Sequence, residues 1–108
     1  MNWNPLTQVS QITNIDSESE NETVVIFKHS TRCSISTTAL ARIERKWEAT
    51  QPVKWYYLDL LQHRDISNTL AAHYLIEHQS PQVLLIKHGT CVYTASHLDI
   101  DLDHILKE

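Results

Sequence analysis

Thr23-Val-Val-Ile-Phe-Lys-His-Ser-Thr-Arg-Cys33-Ser-Ile-Ser36 is the stretch that decides the fold of this 108-residue chain. Thr23 to His29 is rich in β-branched residues and apolar on both faces of an extended chain, the pattern of a strand buried on both sides in a parallel sheet. A short polar turn follows, and Cys33 then opens a helical pattern with Ile35, Ala39, Leu40, Ile43 and Trp47 on one face. Strand, turn and helix together place a thiol at a helix N-terminus. Backbone N–H groups there lack partners and the dipole end is positive, so a thiolate is favoured. Arg32 adds a fixed positive charge one residue away, and Ser36, a turn further on, is placed to donate a hydroxyl hydrogen bond to the sulfur. Cys33 is the candidate nucleophile, because its flanks are polar and cationic, unlike those of an inert buried cysteine.

Outward from this unit, Asn4 and Pro5 read as the N-cap and first residue of a helix whose face is Leu6, Val9, Ile12 and Ile15, with Asp16 to Glu22 as an acidic connection. The helix after Cys33 is expected to end before Gln51-Pro52. Val53 to Leu58 reads as the next strand, and Asp65 to about Tyr74 as a helix with Ile66, Leu70 and Ala71 inward. Ser80-Pro81 punctuates before a strand over Gln82 to Lys87, and the turn His88-Gly89-Thr90 joins it to Cys91 to Ala95 as a hairpin. The acidic tail from about Asp101 closes with a short helix. The order α, β, α, β, α, β, β, α predicts an α/β fold, a four-stranded mixed parallel and antiparallel sheet with helices on both faces, in one domain over residues 1–108.

Composition removes several classes of function. A net charge of −4 and a pI near 5.9, with scattered basic residues, argue against a nucleic-acid partner. The single glycine, Gly89, rules out a Gly-rich phosphate loop. No apolar run approaches the ~18 residues of a membrane span, and Met1-Asn-Trp-Asn-Pro5 lacks the pattern of a secretion signal, so a cytoplasmic home with free thiols is expected. None of the seven histidines pairs at i, i+4, and Cys33 and Cys91 are too far apart for a zinc knuckle, so no metal site is expected. Asp99-Ile-Asp-Leu-Asp103 imitates the start of a calcium loop, but His104 stands where glycine is needed, leaving a solvated helix start. Trp3, Trp47 and Trp55 read as packing residues, and Cys91, at the far end of the sheet, as a structural or incidental thiol, with a distant resolving partner as the other reading. Lys28 is expected to point away from the core. His29, at the strand end, has two open readings, a group that tunes the thiolate or a plain strand-end histidine.

Phe27-Lys-His-Ser-Thr-Arg-Cys-Ser-Ile-Ser36, with His78-Gln-Ser-Pro-Gln82 and Lys87-His-Gly89, closely resembles the YtxJ-type monothiol bacilliredoxins of the thioredoxin-fold superfamily, and the likeness covers nearly the whole chain. It departs at Ser34, where that family is expected to carry proline. The resemblance implies a thioredoxin-like fold with Cys33 as the redox cysteine, Ser80-Pro81 as a cis-proline segment facing it, and Thr31, Ser34, Ser80 and Pro81 on the substrate side. Ser36 occupies the place of the second cysteine of dithiol thioredoxins. A hydroxyl forms no disulfide, so an adduct on Cys33 must be resolved by an external thiol. Phe27 occupies the place of the buried acid of thioredoxins, so no carboxylate base is evident. The implied activity is removal of bacillithiol, or a related small thiol, from mixed disulfides of client proteins, in a stress-response setting. The small thiol is then a co-substrate, no cofactor is tightly bound, and the protein acts as a monomer. Two other classes share these features: an iron–sulfur carrier like some monothiol glutaredoxins with a Cys-x-x-Ser site, and a non-catalytic module that holds clients on the Cys33 face.

Overall fold

In the computed structural model, which describes residues 3–46 and 53–107, the elements run β1 (Asn4–Pro5), α1 (Gln11–Glu18), β2 (Thr23–His29), α2 (Ser34–Lys46), β3 (Val53–Asp59), α3 (Arg64–His73), β4 (Gln82–Lys87), β5 (Thr90–Ser96), a single 3₁₀ turn (His97–Asp99) and α4 (Leu102–Lys107). The strands form one mixed sheet in the order β1-β3-β2-β4-β5. Central β2 pairs parallel with β3, from Thr23↔Val53 to His29↔Asp59, and antiparallel with β4, from Val24↔Ile86 to Lys28↔Gln82. The expected end of α2 before Gln51-Pro52, and the inward place of Trp47, lie outside the described residues.

The sheet has five strands, not four, and the difference lies at the N-terminus. Asn4 and Pro5 do not start a helix but pair parallel with Tyr56 and Tyr57 on the edge of the sheet. Proline is tolerated on an edge strand because its missing N–H leaves no ladder bond unmade. The Asn4 side chain donates to Trp55 O at 3.0 Å, and Leu6 N–H donates to Tyr57 O at 2.8 Å. Leu6, directly after this strand and held to β3 by that bond, is buried, whereas Val9, placed by its spacing on the same helical face, is exposed. The helix begins only at Gln11, whose Oε1 accepts the N–H groups of Thr7 and Gln8 at 2.7 and 2.9 Å. It runs through Asp16 to Glu18, residues read above as connection. Those acids are engaged: Asp16 accepts from Tyr74 Oη, and Glu18 accepts from Tyr56 Oη and pairs with Lys54.

Successive strand residues point to opposite faces, and the buried side chains divide accordingly. Val24, Ile26, Tyr56, Leu58, Leu84 and Ile86 cluster with Ile12 and Ile15 of α1 and Ile66 and Leu70 of α3. Val25, Phe27, Trp55, Val83 and Leu85 cluster with Ala39 and Ile43 of α2 and Leu102 and Ile105 of α4. The inward stripe of α2 is Ser36, Ala39 and Ile43. Ile35, one position round the helix, is exposed, contrary to its place on the predicted face.

Lys28 is fully buried, which corrects its expected outward orientation. Because β2 has neighbours on both sides and both of its faces are covered, every residue from Val24 to His29 is enclosed. Loss of hydration lowers the Lys28 amine from 10.5 to about 8. A folded value below the unfolded one means that the native state resists protonation, a cost fully present below pH 8 and relieved as pH rises toward 10.5. Lys28→Met is expected to raise stability near neutral pH, as replacing a buried charge by an apolar chain commonly does. Its advantage over wild type should shrink by about 2 kcal/mol between roughly pH 7.5 and 9.5, read as urea unfolding free energies. A constant difference across that range would contradict a buried, titrating amine.

Candidate functional site

The end of β2 delivers a turn, Ser30 to Cys33, into the first turn of α2. Cys33 N–H donates to Ser30 O at 3.1 Å, and its carbonyl accepts Thr37 N–H at 3.0 Å and Thr37 Oγ1 at 3.2 Å. The half-buried thiol thus stands immediately ahead of the first helical residue, Ser34, where helix N–H groups point outward. Thr31, Arg32 and Ser34 around it are exposed.

Ser36 does not have the role expected of its hydroxyl. It is fully buried, its Oγ accepts Ser30 N–H at 2.9 Å and lies 2.6 Å from His29 Nδ1, and among the described residues no hydrogen bond joins it to the Cys33 sulfur. His29 is itself buried on the α2 side of the sheet, stacked on Phe27 at 5.7 Å and 5.5 Å from the Tyr57 ring. Burial pushes its pKa down against the smaller opposing pull of Asp59, Ser36 and Glu44, so the ring is held toward the neutral form. A neutral ring with its hydrogen on Nε2 accepts the Ser36 O–H at Nδ1, leaving the Ser36 oxygen free to accept from Ser30. The pair was not recognised in the sequence. The available signal was the position of His29 inside a strand covered on both faces.

The second half of the site comes from the loop between α3 and β4. The Ser80–Pro81 peptide bond is cis, Pro81 is buried and Ser80 half-buried. The antiparallel register Lys28↔Gln82 brings Pro81 level with the end of β2, at the same sheet end as Cys33. Gln82 ties the loop, its side-chain amide donating to Glu77 O at 3.0 Å and its Oε1 accepting Gln79 N–H at 3.3 Å. His78 Nδ1 faces Lys28 Nζ at 3.3 Å and Ser67 Oγ at 3.1 Å. Burial, Lys28 and Arg64 all lower the pKa of His78, so it too serves as a neutral acceptor.

Cys91 lies elsewhere. It pairs across the sheet with Ile86, which faces Val24 at the start of β2, so the two thiols occupy opposite ends and both are free. Burial pushes the Cys91 thiol up. Among the described residues no group of three or more His, Cys, Asp or Glu is arranged to hold a metal ion, and no helix is long and apolar enough to cross a membrane.

Residues 4–105 match the family model described as monothiol bacilliredoxin BrxC. Among solved structures, one described as a candidate oxidoreductase with a thioredoxin fold superposes with a TM-score of 0.79 at 29% identity, covering 95% of this chain and 89% of that one. Thioredoxin from Malassezia sympodialis (TM-score 0.71, 18% identity, 98% and 86% covered) and thioredoxin f2 from Chlamydomonas reinhardtii (0.73, 11%, 98% and 92%) share the fold. The five-stranded mixed sheet and its four helices are thus a thioredoxin fold.

The buried pair His29–Ser36 has a measurable acid signature. Below its ordinary value of 6.5 the unfolded histidine takes up a proton that the folded ring resists, so folding stability falls as pH drops below about 6.5. In that range the urea midpoint of wild type is expected to fall more steeply than that of His29→Phe, which keeps a stacked ring without a titrating nitrogen. Equal slopes would mean that His29 is protonated alike in both states.

Proposed function

The chain belongs to the BrxC family of monothiol bacilliredoxins, and from that premise we propose that it removes bacillithiol, or a related small thiol, from mixed disulfides of client proteins through Cys33. Family and fold support a thiol oxidoreductase-like role. The observation that carries the finer reading is the helix-start thiol with no second thiol on its helix face: Ser36 stands there, its hydroxyl occupied by Ser30 and His29.

The exchange balances without any further oxidant. The Cys33 thiolate attacks the small-thiol sulfur of a client mixed disulfide, forming a Cys33–small-thiol disulfide while the client sulfur leaves as a thiolate and takes a proton from water. A second small thiol, ionised, attacks the small-thiol sulfur of that adduct, releasing the small-thiol disulfide and restoring the Cys33 thiolate. The sulfur attacks from its place immediately ahead of the first residue of α2, in a turn whose Thr31 and Arg32 are exposed. Thr31 and Ser34, both exposed and close to Cys33 in the chain, are the side chains that would meet the small thiol. The Ser80–Pro81 segment, at the same sheet end, offers backbone to an extended client chain, as in strand addition.

Exposure of the reduced protein to the disulfide of bacillithiol, followed by intact-mass analysis, tests this directly. Wild type and Cys91→Ser are each expected to gain one small thiol, mapped in both to Cys33, and Cys33→Ser to gain none. Modification of Cys91 with Cys33 untouched would overturn the assignment.

A further inference from the structure

We propose that Lys28 and His29 are positioning residues that hold the two halves of the site from opposite faces of the sheet, His29 fixing the Cys33 turn through Ser36 and Lys28 fixing the Ser80–Pro81 loop through His78. The inference rests on the reading of Cys33 and Ser80–Pro81 as the reactive and client-binding segments. Its foundation is geometric. Neighbours on a strand project to opposite faces, and β2 is the central strand, so its last two residues reach α2 on one side and α3 with the following loop on the other.

On the α2 face the connections form a closed chain. Ser36 O–H donates to His29 Nδ1, Ser30 N–H donates to Ser36 Oγ, and Cys33 N–H donates to Ser30 O. The turn bearing the thiol is thereby tied to the strand beneath it, one turn into the helix. Asp59 and Tyr57 of β3 and Glu44 of α2 are the other titratable groups that face His29. On the opposite face Lys28 Nζ donates to His78 Nδ1, and Ser67 of α3 meets the same nitrogen. His78 is two residues before Ser80, and Gln82, the cross-strand partner of Lys28, holds Glu77 and Gln79. Lys28 thus grips the loop from its middle while its neighbour across the ladder grips both flanks.

The energetics separate this from ordinary packing. Among the described residues no carboxylate pairs with Lys28, so its burial lowers stability where an apolar chain would not. A group that breaks the local rule at such a cost belongs where function needs it.

Three readouts on the full chain test the two arms separately. In the first, Cys33 alkylation by iodoacetamide is followed across pH in Cys91→Ser protein carrying His29→Phe, Ser36→Ala or both. The single changes are expected to move the rate–pH profile equally, with the double variant no different from either. In the second, Lys28→Met is expected to leave alkylation within about twofold of the parent while raising KM about tenfold, at nearly unchanged kcat, for a peptide bearing a mixed disulfide with bacillithiol. In the third, amide hydrogen exchange should accelerate over residues 77–82 in Lys28→Met and over residues 30–37 in His29→Phe, each leaving the other segment as in wild type. Lys28→Met is expected to fold more stably than wild type, and urea midpoints verify every variant. Multiplying effects of His29→Phe and Ser36→Ala, an unmoved profile, an unchanged KM, or exchange that rises in both segments alike would overturn the proposal. If wild type transfers no small thiol, the functional reading fails, while alkylation and exchange still decide the two positioning roles.

Discussion

Burial of β2 on all sides is the constraint from which the rest of this structure follows. With β3 and β4 hydrogen-bonded to its two edges and apolar clusters on both faces, the strand has no route to water between Val24 and His29. Four of those six residues are aliphatic or aromatic and need no partners. The last two are Lys28 and His29, and a buried polar group without a hydrogen bond costs more than the bond returns when made. Each has therefore recruited a partner on its own face: Ser36 in the helix start above His29, and His78 in the loop below Lys28.

The same enclosure sets the electrostatics. Phe27 stands where dithiol thioredoxins place an acid, and it is packed between Trp3 at 5.9 Å and His29 at 5.7 Å, so this face of the strand is aromatic rather than ionised. His29 is held toward neutrality by that surrounding, and Lys28 by its own. Cys91 lies against the apolar cluster at the far sheet end, where burial favours its protonated sulfur, and Cys33 sits at the opposite end in the turn that follows the strand. Chemistry proposed for Cys33 therefore depends on where β2 stops.

The strands Thr23–His29 and Gln82–Lys87 were legible to the residue, and α3 within one residue at either end, because their apolar periods are long and bounded by polar or proline punctuation. The N-terminus does not follow its apparent helical period because Leu6, Val9, Ile12 and Ile15 mix two connecting residues, the first directly after the edge strand, with two true helix positions. A two-residue edge strand carries no period of its own, and it exists only because β3 offers an unpaired edge. The hydroxyl of Ser36 was assigned to the wrong partner for a similar reason. Spacing places it three residues from the thiol, but the partner it bonds is seven residues back on another element.

What the sequence by itself determined is the local chemistry: a strand, a turn and a helix that set Cys33 at a helix start, with serine where a resolving cysteine would stand. These follow from residues adjacent in the chain, whose geometry is settled by backbone propensity and capping. Tertiary structure alone decided that Lys28 and His29 would be buried and paired, and that Asn4–Pro5 would extend the sheet. Those outcomes depend on which elements cover which face, and that is fixed only when the whole sheet closes around its central strand.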